Sequence, residues 1–449
     1  MMQRRTFLKM LALSGLTQVA PMGFISEAQA AGNNKFWISL QANGGWDPTN
    51  FCDPKPSEMS GHNWYGAADI RTDLCNYSVA PYCPGAAGNP AQDAMKWETF
   101  WRNWGNKMLV INGIDMRTNG HDTGTSATWS GQQRSGLPSF GALVAGIVNP
   151  SAGMAYIGAG GGFSDARDIV AVSRINGSGD ISNLQRIANP NVPNLSNTAV
   201  TYQQSTSWQA VKQAQNDRLL ALMGDENQLP QNERNMNLLY SARNGSGNIN
   251  NFLTQLGKLP ALTGYEATGA IYSNMRDQAK IALAAFSSGM AVAADILVGG
   301  FDTHSNHNMY HYPMLANIFD VMNDIMFFSQ TLGIQDRVNI IVGSEFGRTA
   351  GYNVNAGKDH WPYNSMLFLG ADFGPNARLG NIIGASNDKH EALAVNPSTL
   401  VPVTTGGIKI RPDHIHKQLR KLAGIDTNPI ATRYGLGNAV EDLPLFSGV

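Results

Sequence analysis

The stretch ADILVGGFDTH at residues 294–304 joins a run of apolar and β-branched residues directly to an aspartate and a histidine. A short apolar run of this kind is typical of a buried strand in a parallel sheet. In open α/β sheets, ligands bind beyond the carboxyl ends of the strands. The sequence therefore predicts that Asp302 and His304 face a crevice at one edge of a sheet.

The same pattern recurs elsewhere in the chain. Predicted strands at 35–42, 107–112 and 337–342 lead into NGGWD at 43–47, NGHDT at 119–123 and GSEFGRT at 343–349, and Asp359 and His360 precede an apolar run at 365–369. Helical patterns at about 265–291 and 312–332 separate the later strands. This alternation predicts an α/β fold, with a mostly parallel central sheet and helices on both faces.

Composition excludes several classes of protein. The chain has 449 residues, of which 43% are hydrophobic, so it can bury a large core and is not disordered. Only 14% are charged and the net charge is -1, which argues against a nucleic-acid partner. No apolar run after the first thirty residues reaches the roughly 20 residues of a membrane-spanning helix, so no stable membrane insertion is expected.

Residues 1–30 have the pattern of a cleaved twin-arginine signal peptide. Arg4 and Arg5 precede a weakly apolar stretch, and Ala28-Gln-Ala30 matches a small-residue cleavage site. We therefore expect a periplasmic or secreted protein that meets the twin-arginine translocase during export. Residues 31–449 are predicted to form a single α/β domain with an Asn/Gln/Ser-rich helical insertion at about 180–262.

Three cysteines, Cys52, Cys75 and Cys83, lie close together in the sequence. In an oxidising compartment a disulfide is expected, with Cys75–Cys83 closing the shortest loop and one thiol left over.

Carboxylates and histidines at the predicted strand ends are candidate metal ligands. They are Asp47, Asp302, His304, Glu345 and His360, with His307 as an alternative ligand from the same loop as His304. Mixed carboxylate and histidine sites suit zinc, manganese or iron, whereas oxygen-rich sites favour magnesium or calcium. The competing interpretation is that these carboxylates form salt bridges with Arg348 and its neighbours.

The segment DTGTSATWS at 122–130 is rich in hydroxyl groups and lies where a strand gives way to a predicted helix. A helix start favours a bound anion, and a hydroxyl beside a metal can act as a nucleophile. Ordinary helix capping by Thr123 or Thr125 explains the same residues equally well.

These motifs resemble a known family. GGWD at 44–47, GFDTH at 300–304, SEFGRT at 344–349 and the twin-arginine start resemble the exported family called domain of unknown function fifteen-oh-one. That family is placed within the alkaline phosphatase and sulfatase-like superfamily, and the resemblance extends over nearly the whole chain. It implies an alkaline phosphatase-like fold with two divalent metals and a metal-bound nucleophile at the strand ends.

Carried over by position, the resemblance assigns roles to individual residues. Thr123 becomes the nucleophile, Asp47 the metal aspartate of the first strand, and His360 the last histidine of one metal site. Phe346 departs from the pattern, because it stands where an imidazole would bind the second metal and a phenyl ring cannot coordinate. The second metal is therefore in doubt, and one or two ions (Zn, Mn, Mg or Ca) are expected.

The favoured prediction is an exported metal-dependent hydrolase of phosphate or sulfate esters. In it Thr123 attacks the ester, His121 or His304 serves as acid or base, and Arg348 contacts the anion. The alternative is a non-catalytic metal- or ligand-binding protein that keeps the fold. The expected ligand is a small anionic ester or a carbohydrate-type molecule.

Overall fold

The structure is a computed structural model that describes most of residues 35–446. The segments left out are 60–62, 86–89, 160–162, 164, 176, 226–228, 230, 233–235, 237–245, 261–269, 374–377 and 438–439. The predicted signal peptide at 1–30 lies outside the described residues, as do parts of the predicted insertion at 180–262.

One large sheet forms the centre of the described chain. Its strands are β1 Phe36–Ala42, β2 Met108–Asp115, β3 Tyr156–Ala159, β4 Val172–Arg174, β5 Ala293–Val298, β6 Val338–Gly343, β9 Tyr363–Leu369 and β10 Asn381–Ile383. Their order is β10-β2-β9-β6-β1-β5-β3-β4, and every neighbouring pair is parallel except those that include β9. The predicted mostly parallel sheet is confirmed. A separate hairpin joins β7 Gly347–Arg348 to β8 His360–Trp361.

The described residues form ten α-helices, and several of them cover the two faces of this sheet. They are α1 Pro90–Trp104, α2 His121–Ser130, α3 Phe140–Val148, α4 Ser178–Ala188, α5 Ser205–Met223, α6 Ser246–Lys258, α7 Ala270–Ser287, α8 His307–Thr331, α9 Pro412–Leu422 and α10 Pro429–Arg433. Alternate residues of β1 point to opposite sides: Phe36 and Ile38 pack in the core that includes residues of α1, α7 and α8, and Trp37 packs in the core with α2, α3 and α9. Among the described residues, no helix is long and apolar enough to cross a membrane.

The strands predicted from apolar runs agree with the structure to within a few residues, but one strand runs in an unexpected direction. Strand β9 is antiparallel to both β2 and β6. Its beginning therefore lies at the edge where the parallel strands end. This reversal brings Asp359 and His360, which precede β9, to the same edge as Asp302.

The expected disulfide is wrong for this structure, in which all three cysteines are free. Cys52 is buried, and its Sγ donates to Asn112 Oδ1 at 3.3 Å. Cys75 Sγ donates to the carbonyl oxygen of Tyr77 at 3.3 Å. Burial raises the pKa of these thiols, so they act as packing groups and not as reactive ones.

A buried carboxyl group in β5 makes stability depend on pH. Asp295 is fully buried, and its Oδ2 accepts hydrogen bonds from the hydroxyls of Tyr156 and, at 3.2 Å, Ser139. Burial nevertheless raises the pKa of Asp295 to about 7. The contribution of Asp295 to the free energy of unfolding is therefore complete below the pKa of this carboxyl in the unfolded chain. It is lost as the pH rises through the folded pKa of about 7.

We expect Asp295→Asn to flatten this pH dependence, because the amide is neutral at every pH. The fall in the free energy of unfolding between pH 5 and pH 8 should shrink by about 2 kcal/mol in urea titrations. Asp336→Asn, at an exposed position, should leave the fall unchanged. An unchanged fall in Asp295→Asn would show that the carboxyl titrates normally.

Candidate metal centre

Four side chains from three parts of the chain meet at the carboxyl edge of the sheet. Asp302 and His304 follow β5, His360 begins β8, and His121 begins α2 after β2. We call these four residues the histidine cluster. The loops that carry them come together because β2, β5 and β6 end at this edge and β9 starts there.

The polar atoms of the cluster converge on one point. Asp302 Oδ1 lies 3.1 Å from Nε2 of His304 and 3.1 Å from Nε2 of His360. The two Nε2 atoms are 3.0 Å apart, and His121 Nε2 lies 3.6 Å from Asp302 Oδ2. For His121, Asp302 and His360, one ligand atom of each falls within 4.8 Å of the others, a spacing that a single metal ion can bridge.

The hydrogen bonds on the far side of each imidazole fix which nitrogen carries the proton. Nδ1 of His121 donates to Glu345 Oε1, Nδ1 of His304 to Asp359 Oδ1, and Nδ1 of His360 to the carbonyl oxygen of Asn119, each at 2.8 Å. Since these oxygens accept the Nδ1 protons, each Nε2 presents a lone pair to the cluster when its imidazole is neutral. Facing lone pairs repel unless a cation lies between them, and metal-bound histidines are oriented in this way. The residues therefore fit a divalent metal ion.

The donor set and its exposure indicate the kind of metal site. Two imidazole nitrogens and one carboxylate favour zinc or manganese over magnesium or calcium. The side chains of His121 and Asp302 are 41% and 47% exposed. A site open to this extent is accessible to water and to small molecules.

Glu345, predicted as a metal ligand, contacts Nδ1 of His121, on the side of the ring that faces away from the cluster. It is fully buried, and its carboxylate accepts hydrogen bonds from Gln41 Nε2 and the Gly44 amide, each at 2.7 Å, besides that from His121. The hydrogen bond that His121 donates to Glu345 raises the pKa of His121. The structure places Glu345 where it orients His121.

Phe346 forms an apolar floor beneath two of the imidazoles. Its ring centroid lies 4.2 Å from that of His360 and 4.9 Å from that of His121, and the ring is fully buried. Gly45, with φ at +87°, lets the ring approach, because a Cβ there would collide with it. The phenyl group thus supports the cluster by packing instead of binding a second metal.

Arg348, predicted to contact a substrate anion, is fully buried, and all three of its nitrogens donate to protein atoms. Its Nε donates to the carbonyl of Gly45, its Nη1 to that of Lys358, and its Nη2 to those of Gly44 and Phe301 and to Asp302 Oδ1. Although partial burial raises the pKa of Asp302, the guanidinium and His360 lower it to about 2. Arg348 orients Asp302 and ties three loops together, and its complete burial keeps the guanidinium away from a substrate in this structure.

Asp47 lies apart from the cluster in a buried ion pair. Its Oδ2 is 2.6 Å from Lys358 Nζ and 3.3 Å from His307 Nε2, and all three side chains are fully buried. Against the effect of burial, the lysine charge holds the pKa of Asp47 well below its usual range. We call this the Asp47–Lys358 pair. Its ammonium supplies the positive charge that the predicted metal would have supplied to Asp47.

Asp47 also forms, with Thr303 and His307, an arrangement that resembles a catalytic triad. Thr303 Oγ1 donates to His307 Nδ1 at 2.6 Å, and His307 Nε2 faces Asp47. However, burial lowers the pKa of His307 to about 4, despite the nearby carboxylate. His307 is therefore a poor base. In addition, the Asp47 carboxylate that would stabilise an imidazolium is already paired with the ammonium of Lys358.

Thr123, predicted as the nucleophile, lies in the first turn of α2, two residues after His121. The amide groups of a first helical turn have no partner within the helix, and the helix dipole favours an anion there. Gly124 fixes the position of this turn, since a Cβ at Gly124 would collide with the carbonyl of Glu345. The start of α2 is therefore packed against the loop that follows β6.

The sequence matches one described family. Residues 189–434 match "Protein of unknown function (DUF1501)", a span that includes Asp302, His304 and His360 but not His121. No match to the sequence was found among curated proteins.

Solved structures show distant likeness. The PsFucS1 sulfatase from Pseudoalteromonas sp. has 11% identity and a TM-score of 0.38, over 94% of this chain and 73% of the sulfatase. A mutant TAB5 alkaline phosphatase with Mg bound has 9% identity and a TM-score of 0.32, over 87% and 99%. The PH0037 protein from Pyrococcus horikoshii has 11% identity and a TM-score of 0.31, over 87% and 97%. Likeness at this level assigns no activity to the chain.

Proposed function

The chain belongs to the family described as Protein of unknown function (DUF1501), and from this premise we propose that it is an exported metal-dependent hydrolase of phosphate or sulfate esters. The observation that carries the proposal is the convergence of His121, Asp302 and His360 within 4.8 Å, with the Nε2 atoms of both imidazoles turned toward the Asp302 carboxylate. The site is open to solvent and lies beside the start of a helix. These are the requirements of a centre that binds an anionic ester.

In this proposal each residue of the cluster has a role. His121, Asp302 and His360 hold one divalent ion, which when bound polarises an ester oxygen and offsets negative charge. The free amides at the start of α2 orient the anionic group. Thr123 attacks the phosphorus or sulfur atom, its hydroxyl proton passes to His304, whose imidazole is oriented by Asp359, and the bond to the alcohol of the ester breaks. His304 returns the proton to the departing alcohol, and water then hydrolyses the covalent intermediate on Thr123 to release the anion. Arg348 keeps Asp302 in place.

We expect Thr123→Ala to reduce hydrolysis of para-nitrophenyl phosphate and para-nitrophenyl sulfate by at least about 1,000-fold, because the nucleophile is removed. Thr123→Ser should retain activity within about tenfold, and metal content should be unchanged in both variants. Thr125→Ala, in the same turn, is the matched control and should behave as wild type. Equal activity in Thr123→Ala and wild type would remove Thr123 from the mechanism.

The second candidate function is binding without catalysis. It is favoured by the Asp47–Lys358 pair and by Phe346, which together leave the described residues without a second metal site of the kind that the resemblance implies. A binding protein would carry the metal and show no turnover with zinc, manganese, magnesium or calcium. The same assays therefore separate the two functions.

Export is part of the proposal and rests on the twin-arginine pattern at 1–30. A protein that acquires its metal before crossing the membrane would suit this route, because the pathway carries folded proteins. The proposed location is the periplasm or the extracellular medium.

A further inference from the structure

Asparagine followed by glycine is prone to spontaneous loss of the side-chain amide, because no Cβ shields the backbone nitrogen of the glycine. The chain has five such pairs, at 43–44, 112–113, 119–120, 176–177 and 244–245. The structure describes the first three pairs completely. These three share one chemistry and differ in their surroundings, so the structure ranks their reactivity.

The reaction places requirements on both residues of a pair. The glycine nitrogen loses its proton and attacks Cγ of the asparagine, the bond from Cγ to the amide nitrogen breaks, and that nitrogen leaves as ammonia. Water then opens the cyclic imide at either carbonyl and gives aspartate or isoaspartate. The asparagine side chain must therefore reach the glycine nitrogen, and this nitrogen must be able to release its proton.

The first two pairs are protected by their contacts. The amide of Gly44 donates to Oε1 of the buried Glu345 at 2.7 Å, so loss of its proton would create a negative charge against a carboxylate. The side chain of Asn112 is buried between two bonds to Cys52, because its Nδ2 donates to the carbonyl at 2.9 Å and its Oδ1 accepts from Sγ at 3.3 Å. Both pairs would have to unfold locally before they react.

The third pair lies open to solvent in the loop between β2 and α2. Asn119 and Gly120 are both exposed. The amide of Gly120 donates to the Thr118 hydroxyl at 3.1 Å, which is a neutral acceptor. In the described part of the chain, a Cβ built on Gly120 would meet only Thr118 Oγ1, at 3.7 Å. The carboxamide of Asn119 therefore has room beside the nitrogen that it must meet.

This pair also connects two residues of the histidine cluster. The carbonyl oxygen of Asn119 accepts the hydrogen bond from His360 Nδ1 at 2.8 Å, and His121 directly follows Gly120. In the isoaspartyl product the main chain runs through Cβ and Cγ of residue 119, and the former carbonyl becomes a carboxylate on a branch. The acceptor of His360 and the chain that holds His121 then no longer share one peptide unit.

We propose that Asn119 is a site of spontaneous modification, at which the folded protein forms isoaspartate and thereby weakens metal binding by the histidine cluster. The modification rests on the exposed loop alone. Its consequence rests on the proposed function, because it requires the metal centre.

Peptide mapping of the metal-loaded full chain, stored in mildly alkaline buffer, tests the modification. The peptide with Asn119 should gain the mass difference between an amide and an acid, and isoaspartate-specific methylation should label the same peptide. Asn43 and Asn112 should react at least about tenfold more slowly, because they need local unfolding. An unmodified Asn119, or equal rates at the three positions, would overturn the inference.

Gly120→Ala is the matched control for the chemistry. Gly120 has φ at -101°, a conformation that alanine adopts, and the added Cβ has space. The variant should slow modification of Asn119 at least about tenfold, because the methyl group shields the attacking nitrogen. An unchanged rate would show that this nitrogen does not attack, and the inference would be wrong.

The consequence is measured on the isoaspartyl form, which its additional negative charge separates from the unmodified form on an ion exchanger. It should bind zinc about 10–100-fold more weakly, the range found when the partner of a metal-bound histidine is disturbed. Freshly prepared Asn119→Asp carries the same charge on an unaltered main chain and should bind zinc more tightly than the isoaspartyl form. Equal zinc affinity of the isoaspartyl and unmodified forms would overturn the consequence.

Failure of this inference is distinguishable from failure of the proposed function. Peptide mapping requires neither metal nor turnover. Metal-loaded protein that forms isoaspartate and loses zinc but hydrolyses no ester would reject only the hydrolase. Unmodified chain that binds no zinc would reject the metal centre and the consequence together, and the rates at the three asparagines would still decide the modification.

Discussion

The double variant Asp302→Asn/His360→Gln should lose at least about nine tenths of its bound divalent metal, and any ester hydrolysis with it. Wild-type protein, purified without chelator, should carry one ion per chain by mass spectrometry. The loss is expected because two of the three converging donors become amides, which bind zinc and manganese weakly. Metal content per chain is the direct measurement.

The substitutions preserve the surroundings of the site. The amide oxygen introduced by Asp302→Asn can still accept the hydrogen bond from Arg348, so loss of metal would not reflect a collapsed loop. Asp122→Asn is the matched control, because Asp122 is an exposed carboxylate next to His121 that lies outside the cluster. It should retain the metal of wild type.

Glu345→Gln separates an orienting residue from a ligand. We expect it to bind the ion about 10–100-fold more weakly than wild type but still in one copy, as is usual when a histidine loses its carboxylate acceptor. Complete loss of metal in Glu345→Gln would make Glu345 a ligand. If the double variant Asp302→Asn/His360→Gln kept its metal, the histidine cluster would not be the metal site.

The position of the site could be predicted from sequence, because buried strands ending in polar residues identify one edge of a sheet. This reasoning placed Asp302, His304 and His360 correctly at that edge. It required no knowledge of the strand order, since every parallel strand ends on the same side. His360 comes to this side for a different reason, because the antiparallel β9 begins there.

The roles of the individual residues could not be read from the sequence. Glu345 and Asp302 are both carboxylates after strands, and only burial shows that the first faces the protein and the second faces solvent. Arg348 donates hydrogen bonds to the carbonyl groups of Gly44, Gly45 and Phe301, which are 47 or more residues away in the sequence. The partner of Asp47 is 311 residues away in sequence, and no local pattern marks Lys358 as buried.

Lys358→Met should destabilise the folded protein by about 3–5 kcal/mol in urea titrations, the range found when one member of a buried ion pair is removed. The methionine fills the volume of the lysine stem but leaves the carboxylate of Asp47 buried without its closest cation. Thr49 still donates to the other oxygen, Oδ1, but two neutral hydrogen bonds do not replace a charge.

The double variant Asp47→Asn/Lys358→Met tests the cause of that loss. If the cost comes from an unpaired charge, removing both charges should restore at least about half of the lost stability, since the amide oxygen introduced by Asp47→Asn can keep both hydrogen bonds from Thr49. A double variant no more stable than Lys358→Met would attribute the effect to packing. Metal content should stay at the wild-type value in both variants, because the pair lies outside the histidine cluster. A change in metal content would instead make Asp47 part of the metal centre, as the resemblance implies, and the single-ion proposal would then be wrong.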